Sequence, residues 1–181
     1  MKKICVISDS HGYLPTTLMP YIRESDEVWH AGDIGDIATL QTLAEKSRRL
    51  RVVWGNADGY EIKQYIKKTR EEVREDLPSE CLFFSVEGVK ILMIHIGGHP
   101  GHYATKIPQL LRLTKPQIFV AGHSHILRVM YDNKYDCLHI NPGACGKFGA
   151  QTVPTAISFV IDNGDIRDLE VIELGKRRID F

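Results

Sequence analysis

The chain carries no excess of charge, no membrane-length apolar run and no paired-cysteine motif, and each absence removes a class of function. Lys plus Arg number 23 and Asp plus Glu number 23, so no net positive field gathers nucleic acid and no acidic tail is present. No apolar run approaches the ~18 residues that a membrane-spanning helix needs. The cysteines, Cys5, Cys81, Cys137 and Cys145, form no C-x-x-C pair, and Met1-Lys2-Lys3 leads straight into a short strand-like run instead of a signal segment. These features predict a cytoplasmic protein with free thiols. Repeats, low-complexity tracts and linkers are also missing. At 181 residues and 43% hydrophobic, the chain is expected to form one domain, 1–181, that buries its own core.

What is present is a set of short polar segments, each placed just after an apolar run. Ser8-Asp9-Ser10-His11-Gly12 follows Ile4 to Ile7, Ala31-Gly32-Asp33 follows Val28 to Trp29, and Gly55-Asn56-Ala57-Asp58 follows Leu50 to Trp54. Ile94-His95-Ile96-Gly97 ends the run Val89 to Ile94, and Gly122-His123-Ser124-His125 follows Gln117 to Ala121. Singly, such fragments suit turns and helix caps. Together they put metal-capable side chains where the loops beyond the carboxyl ends of sheet strands converge, the usual place for a site in an open α/β sheet.

The remaining pattern fits that frame. Asp36 to Lys46 reads as an amphipathic helix capped by Asp36, with Ile37, Leu40, Leu43 and Ala44 at helical spacing. Leu14 to Arg23 reads as a helix kinked at Pro20, and Ala104 to Leu113 as another, stopped near Lys115-Pro116. From Tyr60 to Leu77 the pattern gives no clear element, and its Lys63, Lys67, Lys68 and Arg70 read as a solvated face. Cys81 to Val86 and Val89 to Ile94 form a hairpin about Glu87-Gly88. Four antiparallel strands are expected at Ile126 to Tyr131, Tyr135 to Ile140, Thr155 to Ile161 and Ile166 to Leu174, with tight turns at Asp132-Asn133 and Asn163-Gly164. Two mixed sheets face to face with helices outside is the architecture this order suggests.

The order Asp-x-His, Gly-Asp, Gly-Asn-x-Asp, His, Gly-His-x-His resembles the calcineurin-like metallophosphoesterase superfamily, and the chain length resembles its small bacterial and archaeal phosphodiesterases, to which a retromer subunit is related. The resemblance implies a four-layer αββα sandwich and two divalent ions. Carried over by position, Asp9, His11 and His125 hold one ion, Asn56, His95 and His123 the other, and Asp33 bridges them. Such a centre supplies hydroxide for in-line attack on phosphorus and neutralises the developing charge, with Asp33, Asn56 and His95 closest to the chemistry. The donors suit Mn first, with Fe, Zn or Ni as alternatives. Asn141-Pro142-Gly143 resembles a family loop beside the site.

Two positions depart from the family pattern. Many members place a His after the Gly-Asn to protonate the leaving group, and this chain has Ala57 there; His99 and His102 are the candidate substitutes, set against the plainer reading of Gly97 to His102 as a flexible loop with surface histidines. Ile96 stands where relatives often have Gly after the ligand His, which reads as a shifted loop. Asp58 reads either as a carboxylate orienting a ligand imidazole or as a turn residue, and Cys145 as structural. The implied function is phosphodiester hydrolysis of a small substrate, with a homo-oligomer as an open option. A weakly catalytic protein-binding scaffold and a nuclease are the alternatives.

Overall fold

The computed structural model describes residues 1–71, 73–149 and 151–176. Strand alternation divides the apolar residues between two faces and thereby sets the layers. In β1 (Lys2–Ile7), Ile4 and Val6 point toward the second sheet, whereas Cys5 and Ile7 point toward helices. β1 joins β2 (Glu27–His30), β3 (Leu50–Val52), β11 (Thr155–Asp162) and β12 (Asp165–Glu173) in the order β12-β11-β1-β2-β3. The second sheet runs β4-β5-β8-β10-β9, built from β4 (Leu82–Val86), β5 (Val89–Met93), β8 (Ile118–Val120), β9 (Leu127–Asp132) and β10 (Cys137–Pro142). Both sheets are mixed. β1, β2 and β3 are mutually parallel in one, and β5, β8 and β10 in the other.

Between the sheets lies the main core, in which Trp29 packs edge-on against Phe84 and Phe159. Burial of a side chain of this size contributes on the order of 1.5–3 kcal/mol. Outside the first sheet, α1 (Met19–Glu24) and α2 (Ile37–Lys46) cover Cys5, Ile7 and Val28 with Ile22 and Leu43. Outside the second, α4 (Ile107–Thr114) covers Leu92, Ile94 and Phe119 with Ile107, Leu110 and Leu111. This is the expected αββα sandwich. Among the described residues no helix is long and apolar enough to cross a membrane.

The local differences from expectation have identifiable causes. The kinked helix over Leu14 to Arg23 is a 3₁₀ turn at Thr16–Leu18 followed by α1, and Pro20 sits in the first turn of α1, where a missing N–H costs nothing. α4 starts only at Ile107 for a similar reason, with Pro108 in its first turn. The unassigned stretch after Tyr60 contains α3 (Tyr60–Thr69), anchored by Ile62 and Ile66 one helical turn apart and packed on Leu40 of α2 and on Ile34 in the loop before it. Lys67 and Lys68 are exposed as expected, but Arg70 turns back to the carbonyls of Ser79 and Cys81 at 2.8 and 3.0 Å. The segment expected to be a flexible loop is a ribbon, with β6 (Gly98–His99) paired to β7 (His102–Tyr103).

Candidate metal centre

Each predicted ligand leaves the carboxyl end of a parallel strand: Asp9 and His11 after β1, Asp33 after β2, Asn56 after β3, His95 after β5, and His123 and His125 after β8. The loops lock to one another through the backbone. Asp9 N–H donates to the Gly32 carbonyl at 3.0 Å, His11 N–H to the Asp33 carbonyl at 3.1 Å, and Gly122 N–H to the His95 carbonyl at 3.0 Å. Two glycines make this approach feasible. A methyl group on Gly55 would lie 2.0 Å from Asp33 Oδ1, and one on Gly122 would lie 2.1 Å from Ser8 Oγ.

Two clusters result, Asp9 with His11 and His125, and Asp33 with His95 and His123; within each, one donor atom per residue lies within 4.8 Å of the others. Their floor is buried, formed by Asp9, Asp33 and His95, and their rim is open to solvent at His123. Asp33, of the second cluster, also faces the first. Its Oδ2 lies 3.2 Å from His95 Nε2 and 3.8 Å from His11 Nε2, while its Oδ1 accepts the Ala57 N–H at 2.8 Å. Asn56 stands between Gly55 and Ala57, whose backbones lie against Asp33, and lines one cleft together with His95.

The polar atoms here fit divalent cations. Asp9 Oδ2 accepts the His123 N–H at 3.2 Å, whereas Asp9 Oδ1 is buried without a hydrogen-bond partner and lies 3.1 Å from His125 Nε2. His95 Nδ1 donates to the Ala31 carbonyl at 2.7 Å, which leaves Nε2 facing the carboxylates; that atom too is buried without a hydrogen bond. Leaving such groups buried and unmade costs roughly 1–3 kcal/mol each, which a bound cation would offset. His11 Nε2 and His125 Nε2 face each other at 3.3 Å, as two ligands of one ion would. Burial opposes ionisation of Asp33, but the close approach of His95, the Ala57 N–H and His11 outweigh it and bring the carboxyl down to about 2. Burial also opposes charging of His95, yet Asp33 and Asp9 raise its pKa overall.

The backbone is held in an unusual state. Asp9, His11, Asp33, His123 and His125 all have φ between 46° and 68°, a left-handed region that costs a non-glycine residue on the order of 1 kcal/mol or more and collects at functional sites. Sequence alone gave no signal of this.

The supporting residues act largely through backbone groups of the loops. Asp58, read either as an orienter of a ligand imidazole or as a turn residue, accepts the backbone N–H groups of Gly35 at 3.0 Å and Gly55 at 2.8 Å, a turn role that also pins the Asp33 loop to the Asn56 loop. His99 lies on the β6–β7 ribbon, its Nδ1 3.0 Å from the Pro100 carbonyl and its ring against His102. Those contacts belong to the ribbon. Asn141 braces the histidine loop by donating to the Gly122 carbonyl at 2.9 Å and Ser124 Oγ at 3.1 Å. Cys145 is fully buried beside Cys5, and burial pushes its thiol far above the ordinary range, which fits a structural role.

His30 was not singled out from the sequence. It is fully buried, accepts the Gly32 N–H at Nδ1 (3.2 Å) and meets Ser10 Oγ at Nε2 (2.9 Å). It therefore braces the Asp9 and Asp33 loops at once, and its place in His30-Ala31-Gly32-Asp33, at the end of a strand, was the available clue.

No match is found among curated proteins. Solved structures share the fold: a predicted phosphoesterase from Streptococcus pneumoniae (23% identity, TM-score 0.65, covering 97% of this chain and 91% of that one) and an archaeal phosphodiesterase (21%, 0.68, 94% and 99%). A zinc-complexed Vps29 from Entamoeba histolytica is also similar (17%, 0.66, 96% and 99%). The family model for the calcineurin-like phosphoesterase superfamily domain matches residues 1–164. That span runs from β1 through all five ligand-bearing loops to the turn between β11 and β12, and the chain belongs to the calcineurin-like phosphoesterase superfamily.

Proposed function

We propose that the protein is a metal-dependent phosphodiesterase with two ions, one held by Asp9, His11 and His125, the other by Asn56, His95 and His123, with Asp33 shared. The observation that carries this reading is the position of Asp33 Oδ2 between His95 and His11 while Oδ1 is engaged by Ala57 N–H. Divalent ions bound there supply Lewis acidity toward a phosphoryl oxygen and activate water at neutral pH. The protein's own part is positioning. Ala31 holds His95 through Nδ1, the His123 N–H holds Asp9 through Oδ2, and Asp58 ties the Asp33 and Asn56 loops together. No thiolate enters the donor set, which supports a first-row divalent ion, and manganese is the occupant we propose.

The absence of an imidazole at Ala57 supports a preference for esters whose alcohols leave without protonation. The test is hydrolysis of bis-p-nitrophenyl phosphate and p-nitrophenyl phosphate by protein stripped of metal and refilled with Mn, Fe, Zn or Ni. The reading expects metal-dependent cleavage, faster on the diester, and its loss in Asp33→Asn. If ions bind and no metal restores turnover, the resemblance to Vps29 favours a protein-binding role instead.

A further inference from the structure

A cleft of about 400 Å³ opens beside the centre, and Asn56 and His95 line it. Its walls come in part from the segments that carry Asn56 and His95 and in part from α3 and the start of α4. Trp54, at the end of the β3 segment, Ile94 and Ile96, either side of His95, and Ile107, at the start of α4, give it an apolar lining. Ile96 is 44% exposed, a large apolar side chain left open to solvent at this mouth. Lys63 of α3 and Lys106, the residue before α4, join the lining together with one acid, Glu80. Neither lysine has an acidic partner within 4.0 Å among the described residues, in common with most described lysines, Lys3 with Glu24 being the exception. Mostly apolar walls with a few placed charges are the usual make-up of a small-molecule site, and the size is within the usual range.

We propose that this cleft receives one ester arm of the diester, and that the arm is an apolar ring system bearing a second negative charge, matched to Lys63 and Lys106. The inference rests on the phosphodiesterase reading and adds a substrate class to it. A phosphoryl group seated against His95 and Asn56 has the cleft as its immediate neighbour, so an arm need only extend along Trp54 and Ile96 to bring a charge within reach of the two ammonium groups. Isolated lysines near a surface give modest selectivity, and two of them together suffice for a preference of about tenfold.

The test compares two diesters that release the same p-nitrophenol, so that only the retained arm differs: phenyl p-nitrophenyl phosphate and 4-carboxyphenyl p-nitrophenyl phosphate. Manganese-loaded protein is expected to favour the carboxylated diester by about tenfold in kcat/KM, and Lys63→Gln combined with Lys106→Gln to bring the ratio to about one. A ratio near one in the unmodified protein, or a ratio that survives the double substitution, overturns the proposal. A binding measurement separates this from failure of the phosphodiesterase reading. Trp54 fluorescence is followed on adding phenyl phosphate or 4-carboxyphenyl phosphate, with Trp54→Phe to assign the signal against the buried Trp29. Tighter binding of the carboxylated monoester without any turnover keeps the cleft assignment and removes the enzyme reading; equal binding of the two overturns the cleft assignment whether or not the protein turns over.

Discussion

Asp33 Oδ2 sits 3.2 Å from His95 Nε2 and 3.8 Å from His11 Nε2, so one carboxylate oxygen faces a histidine of each cluster of metal-capable side chains. The other oxygen is fixed by the Ala57 N–H at 2.8 Å. In the two-ion reading proposed above, an oxygen so placed would link the ions in strength as well as position, because each would partly neutralise the charge that the other needs.

Asp33→Asn is therefore expected to lower metal content from two ions to one or none per chain, and to abolish the rise in melting temperature that manganese gives the unmodified protein. A ligand at 100 times its Kd stabilises by about 2.7 kcal/mol, well within the reach of a thermal scan. Elemental analysis of gel-filtered protein with parallel melts checks this. Two retained ions in the variant would show that Asp33 is not shared.

Gly55→Ala places a methyl group 2.0 Å from Asp33 Oδ1 and 2.6 Å from the Asp33 backbone nitrogen. Something must move, and overpacking of this kind costs typically 1–3 kcal/mol. Diester hydrolysis should fall by about 10²-fold, as expected when a reacting group is misplaced by an ångström. Gly59→Ala, where nothing lies within 4 Å of the added methyl, is the matched control and should leave both rate and urea midpoint nearly unchanged.

The layers and ligand loops could be read from the sequence because they follow from period and position. Apolar runs mark the strands, and polar residues directly after them fall at the converging strand ends. Asp36 could be placed for the same reason: its Oδ1 accepts the Thr39 N–H at 2.7 Å, a cap set by local spacing. What could not be read depends on distant contacts. α3 shows only Ile62 and Ile66 on its inner face, too few for a clear period among its lysines, and is held by packing on α2. The roles of Asp58 and Asn141 depend on backbone groups of other loops, 23 and 19 residues away for Gly35 and Gly122. The left-handed backbone of Asp9, His11, Asp33, His123 and His125 runs against residue preference, so no propensity could announce it.

Two buried histidines set an acid limit on stability. Burial pushes His30 and His139 down from 6.5 to about 4, so both are neutral in the folded protein at pH 6 while the unfolded chain is protonated. Between about 6.5 and 4 the unfolded state binds more protons, and stability falls as the pH falls, by up to ~1.4 kcal/mol per pH unit for each ring. His139 is the cleaner probe, since both of its nitrogens lack hydrogen-bond partners and its ring packs on Phe119 and Tyr103. His139→Phe should roughly halve the slope of the urea midpoint of metal-free protein between pH 6.5 and 5. An unchanged slope would mean that this ring is not the group that acid must charge.

Ala57→His tests what the centre lacks. Residue 57 is exposed and meets Asp33 through its backbone N–H, which the substitution keeps, so an imidazole can be added at the rim without disturbing the shared carboxylate. A positioned acid contributes typically 10²–10⁴-fold when the leaving alkoxide is a strong base, and little when it departs unaided. The variant should gain about 10²-fold on an alkyl p-nitrophenyl diester assayed for alcohol release, and stay within about twofold for p-nitrophenol release, so that the ratio of the two products reports the added proton donor. An unaltered product ratio would mean that a group elsewhere in the cleft already delivers the proton, and would turn attention to Lys63 and Lys106, the cations that line it.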